Sequence, residues 1–230
     1  MICFTGDMHG DRARFSHGPA SRLSKRDTLV VCGDFGFVWS GSGEERRILN
    51  QIAKRKYQVL FVEGCHDNLD LLEQYPVEEW NGGLVHRVGE NLRHLIRGQI
   101  YTIEGQRLLA MGGGSSDDFA LREIGVNWWP QELPRAEELD GFRATLTQFQ
   151  NRVDVIISHQ APTAIEACVT QKTRDVTMLT AYMDELQRRC TFRGWFFGCC
   201  HQNRVIPPKY CALYDKAAVL QEDGAIRFLK

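Results

Sequence analysis

No stretch of this 230-residue chain approaches the roughly 18 consecutive apolar residues that span a bilayer, so no transmembrane helix is expected. The amino terminus enters an apolar run at once, without a basic or a long apolar leader, and a cytoplasmic location is expected in place of secretion. Charge of one sign is also missing. Lys and Arg number 28 against 29 Asp and Glu, and a net charge of -1 gives no electrostatic basis for a nucleic-acid or membrane surface. No internal repeat, low-complexity tract or linker-like composition appears, and residues 1–230 read as one domain with one substantial core.

A secreted disulfide framework lacks its context. Eight cysteines in a chain without a secretion signal read as free thiols or metal ligands. Cys3 and Cys32 lie inside apolar runs, as small buried hydrophobes do, while Cys168, Cys190 and Cys211 lack any ligand spacing and read as packing residues.

What the chain does have is a set of short polar clusters, each closing an apolar run. Asp7-Met8-His9 follows Ile2 to Thr5, Gly33-Asp34 follows Leu29 to Cys32, and Gly64-Cys65-His66-Asp67 follows Val59 to Val62. Ser158-His159 closes Val153 to Ile157, and Gly198-Cys199-Cys200-His201 follows Trp195 to Phe197. Short β-branched or aromatic runs bounded by turn residues predict buried strands. The clusters then leave one edge of a sheet, where loops converge while the strands stay rigid, and they predict a single metal site there.

Helical spacing is expected over 44–56, 68–74, 135–150 and 176–189. Between Val85 and Met111 the pattern becomes short alternating strands, with Glu104-Gly105 as a hairpin turn, and this predicts a second sheet entered by antiparallel strands. Further strands are expected near Ala212, Val219 and Ile226. The order predicts an α/β fold of two packed mixed β-sheets flanked by helices. One long irregular stretch, 112 to 134, holds Trp128 and Trp129, which either wall a pocket or cover a core edge. Asp117 and Asp118 within it read as helix-cap or solvent residues.

Taken in order, the clusters resemble the calcineurin-like metallophosphoesterase superfamily, whose pattern is Asp-x-His, Gly-Asp, Gly-Asn-His-Asp/Glu, a lone His and Gly-His-x-His. Residues 75–83, 128–134 and 195–198 resemble a small bacterial branch of it. The resemblance implies the four-layer sandwich, a small phosphoester or nucleotide-like substrate, and two metal ions. Asp7, His9 and His201 would ligate the first ion, Asp34 would bridge both, and His159 with positions 65 and 199 would hold the second. A hydroxide between ions about 3.5 to 4 Å apart would attack phosphorus in line. His66 would be the proton donor and Asp67 its orienting carboxylate. Asn203 and Arg204 either reach a phosphate or hold structure.

Two positions depart from the pattern: Cys65 replaces Asn and Cys199 replaces His. Both fall on the second site, and both are metal ligands in their own right. A set of Asp34, Cys65, His159 and Cys199 favours Zn²⁺ or Fe, with Mn²⁺ an alternative at the first site. Two thiolates would bring the centre near neutrality, weaken its pull on a dianionic monoester and favour a phosphodiester. Other readings stay open: a Cys65–Cys199 disulfide, a non-catalytic metal- or nucleotide-binding module, or a thiolate-iron enzyme acting on a non-phosphate substrate. Cys200 has no assigned role.

Overall fold

A computed structural model describes residues 1–116 and 121–229; Asp117 and Asp118 lie outside the described residues. In chain order the strands are β1 Ile2–Thr5, β2 Thr28–Cys32, β3 Gln58–Val62, β4 Val77–Trp80, β5 Gly83–Arg87, β6 Leu92–Leu95, β7 Ile100–Ile103 and β8 Gln106–Met111, continuing with β9 Val155–Ser158, β10 Gly194–Phe197, β11 Arg204–Ile206, β12 Tyr210–Ala212, β13 Ala217–Leu220 and β14 Ile226–Phe228. The helices are α1 Gly43–Ala53, α2 Leu69–Leu72, α3 Ala136–Gln148, α4 Thr163–Thr170 and α5 Met178–Arg189. One sheet runs β14-β13-β1-β2-β3-β6-β5-β4 and the other β11-β12-β10-β9-β8-β7. Both are mixed: the centres β1-β2-β3-β6 and β12-β10-β9-β8 are parallel and the flanks antiparallel.

The central strands are buried on both faces, which is why their sequences read as unbroken apolar runs. Along them alternate residues serve different cores. Phe4, Val30, Cys32 and Leu60 face Leu108, Ile157 and Phe196 between the sheets, while Cys3, Leu29, Val31 and Val59 face outward to Leu49 and Ile52 of α1. Phe4 and Phe196 stack across the sheets with ring centroids 4.0 Å apart. On the far side Ile156, Trp195 and Phe197 meet Leu139 and Phe142 of α3 and Leu179, Tyr182 and Met183 of α5. The layers are therefore helix, sheet, sheet, helix.

One expectation needs correction. The second sheet begins at β7, not at Val85: β5 and β6 stay in the first sheet because β6 pairs parallel with β3, Val59 opposite Leu92, and Val85 and Leu95 fill the intersheet core. The edge strand β4 alternates exposed and half-buried residues, and the short elements α4 and β11 carry too little periodicity to be anticipated. The Glu104-Gly105 turn is as expected, with φ of 48° and 77° at its two residues, the pair of positive values that a two-residue hairpin turn requires. Among the described residues no helix is long and apolar enough to cross a membrane.

Candidate metal centre

Parallel pairing of β1 with β2 and of β2 with β3 sends three loops off one sheet edge side by side, and β9 with β10 does the same in the second sheet. The loops are tied together by backbone. The amides of Met8 and His9 both donate to the Asp34 carbonyl at 2.9 Å, and the Cys199 amide donates to the Asp7 carboxylate at 3.0 and 3.1 Å. Arg14 braces the first loop through the Asp7 carbonyl, Thr5 Oγ1 and the Tyr214 carbonyl. Four residues of this edge adopt left-handed backbone: His9, Asp34, Cys199 and His201, with φ of 47°, 45°, 62° and 48°. Such φ values are uncommon outside glycine and gather where side chains must be aimed at a common point. Glycine is required beside them for another reason. A Cβ at Gly64 would collide with the Asp34 carboxylate, and one at Gly198 with that of Asp7.

Seven candidate donors converge in three overlapping groups, Asp7 with His9 and His201, Asp34 with Cys65 and His159, and His9 with Asp34 and His66, each with its ligand atoms within 4.8 Å of one another. In the first, His9 Nε2 and His201 Nε2 stand 3.1 Å apart and His201 Nε2 is 3.1 Å from Asp7 Oδ2. In the second, Cys65 Sγ and Asp34 Oδ1 each lie 3.5 Å from His159 Nε2. Asp34 faces both of these, since its other oxygen, Oδ2, is 3.8 Å from His9 Nδ1.

Burial alone would raise the carboxyl pKa values of Asp7 and Asp34, but His159 and His201 hold Asp7 well below the usual range, and His159 and His66 hold Asp34 down. Burial likewise opposes the Cys65 thiol, yet hydrogen bonds with His159 and His66 bring its pKa below the ordinary value. Burial lowers His9. A buried set of carboxylates, imidazoles and an acidified thiol is what a divalent cation neutralises. Nδ1 of His159, the ring nitrogen other than the one that meets Cys65 and Asp34, is buried with no hydrogen-bond partner, 3.6 Å from Asp7 Oδ1.

His66 lies on this floor with its amide on Asp34 Oδ1 at 2.8 Å and Nδ1 on Asp34 Oδ2 at 2.7 Å. Arg122 Nη2 is 2.9 Å from its Nε2, and Arg122 Nη1 donates to the carbonyls of Cys65 and Asn127. Hydrogen bonds with Asp34 and Cys65 push the His66 pKa up to about 10. At Nε2 the pull is opposite: a guanidinium only donates, so that contact requires the ring to carry its proton on Nδ1, toward Asp34, with Nε2 accepting.

One expected role is corrected. Asp67 does not orient His66: its fully buried carboxylate accepts from the amides of Phe35, Gly36 and Gly64 at 3.2, 2.7 and 3.0 Å, pinning the loops after β2 and β3 to each other. Burial and the nearby Asp34 push its pKa up to about 6. Cys199 joins none of the donor groups found among the described residues. Its thiol nevertheless hydrogen-bonds His159, and Arg174 Nη1 lies 3.7 Å from its sulfur. Burial raises its thiol pKa, whereas Cys65 is acidified. All eight cysteines are free thiols, so the Cys65–Cys199 disulfide is not formed. Asn203 and Arg204 take the structural alternative: Asn203 bonds Asp215, Tyr214 and Lys216, and Arg204 donates to the Cys168 carbonyl.

A cavity of about 870 Å³ opens beside the centre, with Cys199, Cys200, His201, Trp128, Glu132 and Asp175 among its lining residues. The two tryptophans divide the expected roles. Trp129 is buried against Trp39 and donates its Nε1 proton to Asp70 at 3.0 Å, while the half-buried Trp128 lines the cavity. Arg122, Arg174 and Glu132 were not foreseen, because lone polar residues in irregular chain carry no periodic or motif signal.

The calcineurin-like phosphoesterase family matches residues 1–198. Among curated proteins none matches. A solved structure described as a 5′-nucleotidase from Staphylococcus aureus, in complex with alpha-ketoglutarate, aligns over 100% of this chain and 52% of its own, with 11% identity and a TM-score of 0.50. The chain thus spans about half the length of that relative. A phosphopantetheinyl hydrolase from Mycobacterium tuberculosis aligns over 93% of this chain and 89% of its own, with 16% identity and a TM-score of 0.48. At 11% identity the likeness to the first of these speaks for the fold alone.

Proposed function

Because this chain belongs to the calcineurin-like phosphoesterase family, we propose that it is a metal-dependent phosphoester hydrolase with a thiolate-bearing second site and a preference for diesters. The observation that carries this reading is the Asp34 carboxylate, whose Oδ2 faces His9 at 3.8 Å and whose Oδ1 faces His159 at 3.5 Å. Asp7, His9 and His201 would hold one ion and Asp34, Cys65 and His159 the other, with Asp34 shared. The metal ions would activate water and neutralise phosphate oxygens.

The remaining chemistry belongs to the chain. Arg122 presents a planar fork of donors beside His66, the geometry that suits two phosphate oxygens. As it turns to a substrate phosphate it releases His66 Nε2. The ring then takes up a proton there and passes it to the leaving oxygen, with Asp34 holding Nδ1 in place. With Cys199 outside the group, Asp7, Asp34 and Cys65 supply three negative charges against the four of two divalent ions. The single positive charge left matches the one negative charge of a diester better than the two of a monoester. Thiolate ligation favours Zn²⁺ or Fe at the second site. Free thiols at all eight cysteines suit a reducing, cytoplasmic setting.

The test is metal analysis of the purified chain with turnover of bis(p-nitrophenyl) phosphate against p-nitrophenyl phosphate. Two ions per chain and faster diester turnover, lost in Asp34→Asn, are expected. Faster monoester turnover would overturn the diester preference, and activity surviving in Asp34→Asn would overturn the shared-carboxylate site.

A further inference from the structure

Exposed apolar side chains are ordinary when scattered singly and informative when they gather. Of the eight large apolar side chains that stand exposed among the described residues, five fall on two short segments, Leu121, Ile124 and Val126 on one and Val176 and Met178 on the other. Leu121 is 88% exposed and Val176 67%. Both segments also supply the cavity beside the metal centre. Trp128 lines it from the first, and Lys172, Arg174, Asp175 and Thr177 line it from the second.

Neither segment is slack. The Glu123 carbonyl accepts from the amides of Val126, Asn127 and Trp128 at 3.2, 3.1 and 3.2 Å, and the Glu123 amide donates to Asn127 Oδ1 at 2.6 Å. Arg122 is turned to Cys65 and His66. The polar groups of this loop are thus bonded within the molecule, while its three apolar side chains are left in water. In the second segment Arg174 Nε pairs with Glu166 Oε1 at 3.1 Å, and Thr177 caps α5 by accepting from the Thr180 amide at 3.2 Å. Val176 stands between these two anchors.

The cavity limits the kind of group that can reach this rim. Its lining carries both signs, Lys172 and Arg174 against Glu132 and Asp175, and so gives no preference for a second strongly charged substituent. Trp128, Pro130 and Leu133 add apolar surface, and the volume of about 870 Å³ is that of a small-molecule site, well beyond a phosphoryl group. An apolar substituent gains by leaving water along its whole length. We propose that the substrate is an amphiphile, a phosphodiester with one hydrocarbon substituent that passes Trp128 and lies against Ile124 and Val176. The proposal rests on the hydrolase reading for the phosphodiester and adds the hydrocarbon, which the metal centre does not itself require.

Alkyl p-nitrophenyl phosphates test it, because the leaving group and the charge stay constant while the alkyl group grows. kcat/KM of the metal-loaded full chain would be measured for the methyl and the n-octyl ester below the critical micelle concentration. The octyl ester is expected to be favoured at least about ten-fold, the effect of taking roughly two methylenes out of water. Ile124→Ser with Val176→Ser should remove most of that advantage and leave the methyl ester unchanged. An advantage that survives this double variant overturns the rim as its source. Equal kcat/KM for the two esters in the parent protein overturns the proposal while the hydrolase reading stands, and it is the result expected if the rim instead seats a protein. Turnover of neither ester would count against the hydrolase reading, and the hydrocarbon site is then read by calorimetry with n-octyl and methyl methylphosphonate, monoanions without a good leaving group. Saturable binding of the octyl compound, weakened in the double variant, supports the site; none at millimolar concentration overturns it. The comparison of alkyl lengths needs no variant, so a misfolded mutant does not decide the outcome.

Discussion

Arg122 reaches His66 from a segment remote in sequence and places its guanidinium 2.9 Å from the imidazole Nε2. The same side chain donates to the carbonyls of Cys65 and Asn127, so its head is fixed by groups other than the histidine. An arginine so placed acts on whatever His66 acts on. Arg122→Ala is expected to lower kcat/KM for a diester by about ten- to a hundred-fold, and Arg122→Lys to rescue little, because an ammonium lacks the planar fork. His66→Ala should cost about a hundred-fold or more with metal content unchanged. Steady-state kinetics with metal analysis on the same samples checks both, and full activity in His66→Ala would remove it as proton donor.

The two unusual cysteines are expected to behave differently. Cys65 lies 3.5 Å from His159 and is acidified by it, whereas Cys199 is held toward Arg174 and its thiol is raised by burial. Cys65→Ser should therefore lose the second ion or exchange it for a harder one, while Cys199→Ser should retain it with affinity within about ten-fold. Cobalt substitution reads this directly, since thiolate-to-cobalt charge transfer should vanish only in Cys65→Ser. Its loss in Cys199→Ser would return that residue to the ligand set.

Much of this centre is legible before folding because strands position their ends without help from side chains far away. Asp7, Asp34, Cys65, His159 and His201 each follow a run apolar on both faces, and parallel pairing alone sends those ends to one edge. What is not legible depends on distance between parts of the chain. Arg122 and His66 are 56 residues apart, and nothing periodic links them. Asp67 misleads for the opposite reason. Its neighbour in sequence is His66, but in a tight loop the adjacent side chain points elsewhere, and the amides of Phe35 and Gly36 are the donors it meets. Assignment of β5 and β6 to the wrong sheet has the same origin, since antiparallel hairpins specify their own pairing but not which sheet they extend.

Asp67 therefore carries a prediction about stability. Its carboxylate satisfies three backbone amides in fully buried surroundings, and truncation leaves those donors unpaired. Asp67→Ala is expected to lose about 2 to 4 kcal/mol, measured by denaturant unfolding. If Asp67 oriented His66 instead, Asp67→Asn would shift the pH profile of kcat and leave stability nearly intact. The structure predicts the reverse, a lower Tm with an unchanged profile.

Glu132 gives the pH dependence its sign. Burial raises its folded-state pKa from the ordinary 4.5 to about 7, so between those values the folded chain holds a proton that the unfolded chain has released. Stability falls wherever the folded state binds more protons. Its contribution is therefore complete below about pH 4.5, declines as pH rises through the window, and is lost above about 7. The difference amounts to on the order of 3 kcal/mol for this one group. Glu132→Gln keeps the shape and removes the titration. Relative to the parent chain it should gain stability progressively from pH 5 to 7.5, with little difference at pH 4.5. Unfolding of the two chains compared across that range measures the divergence; parallel curves would mean that Glu132 is ionised throughout and that its buried Oε1, without a hydrogen-bond partner in the fold, has one in solution.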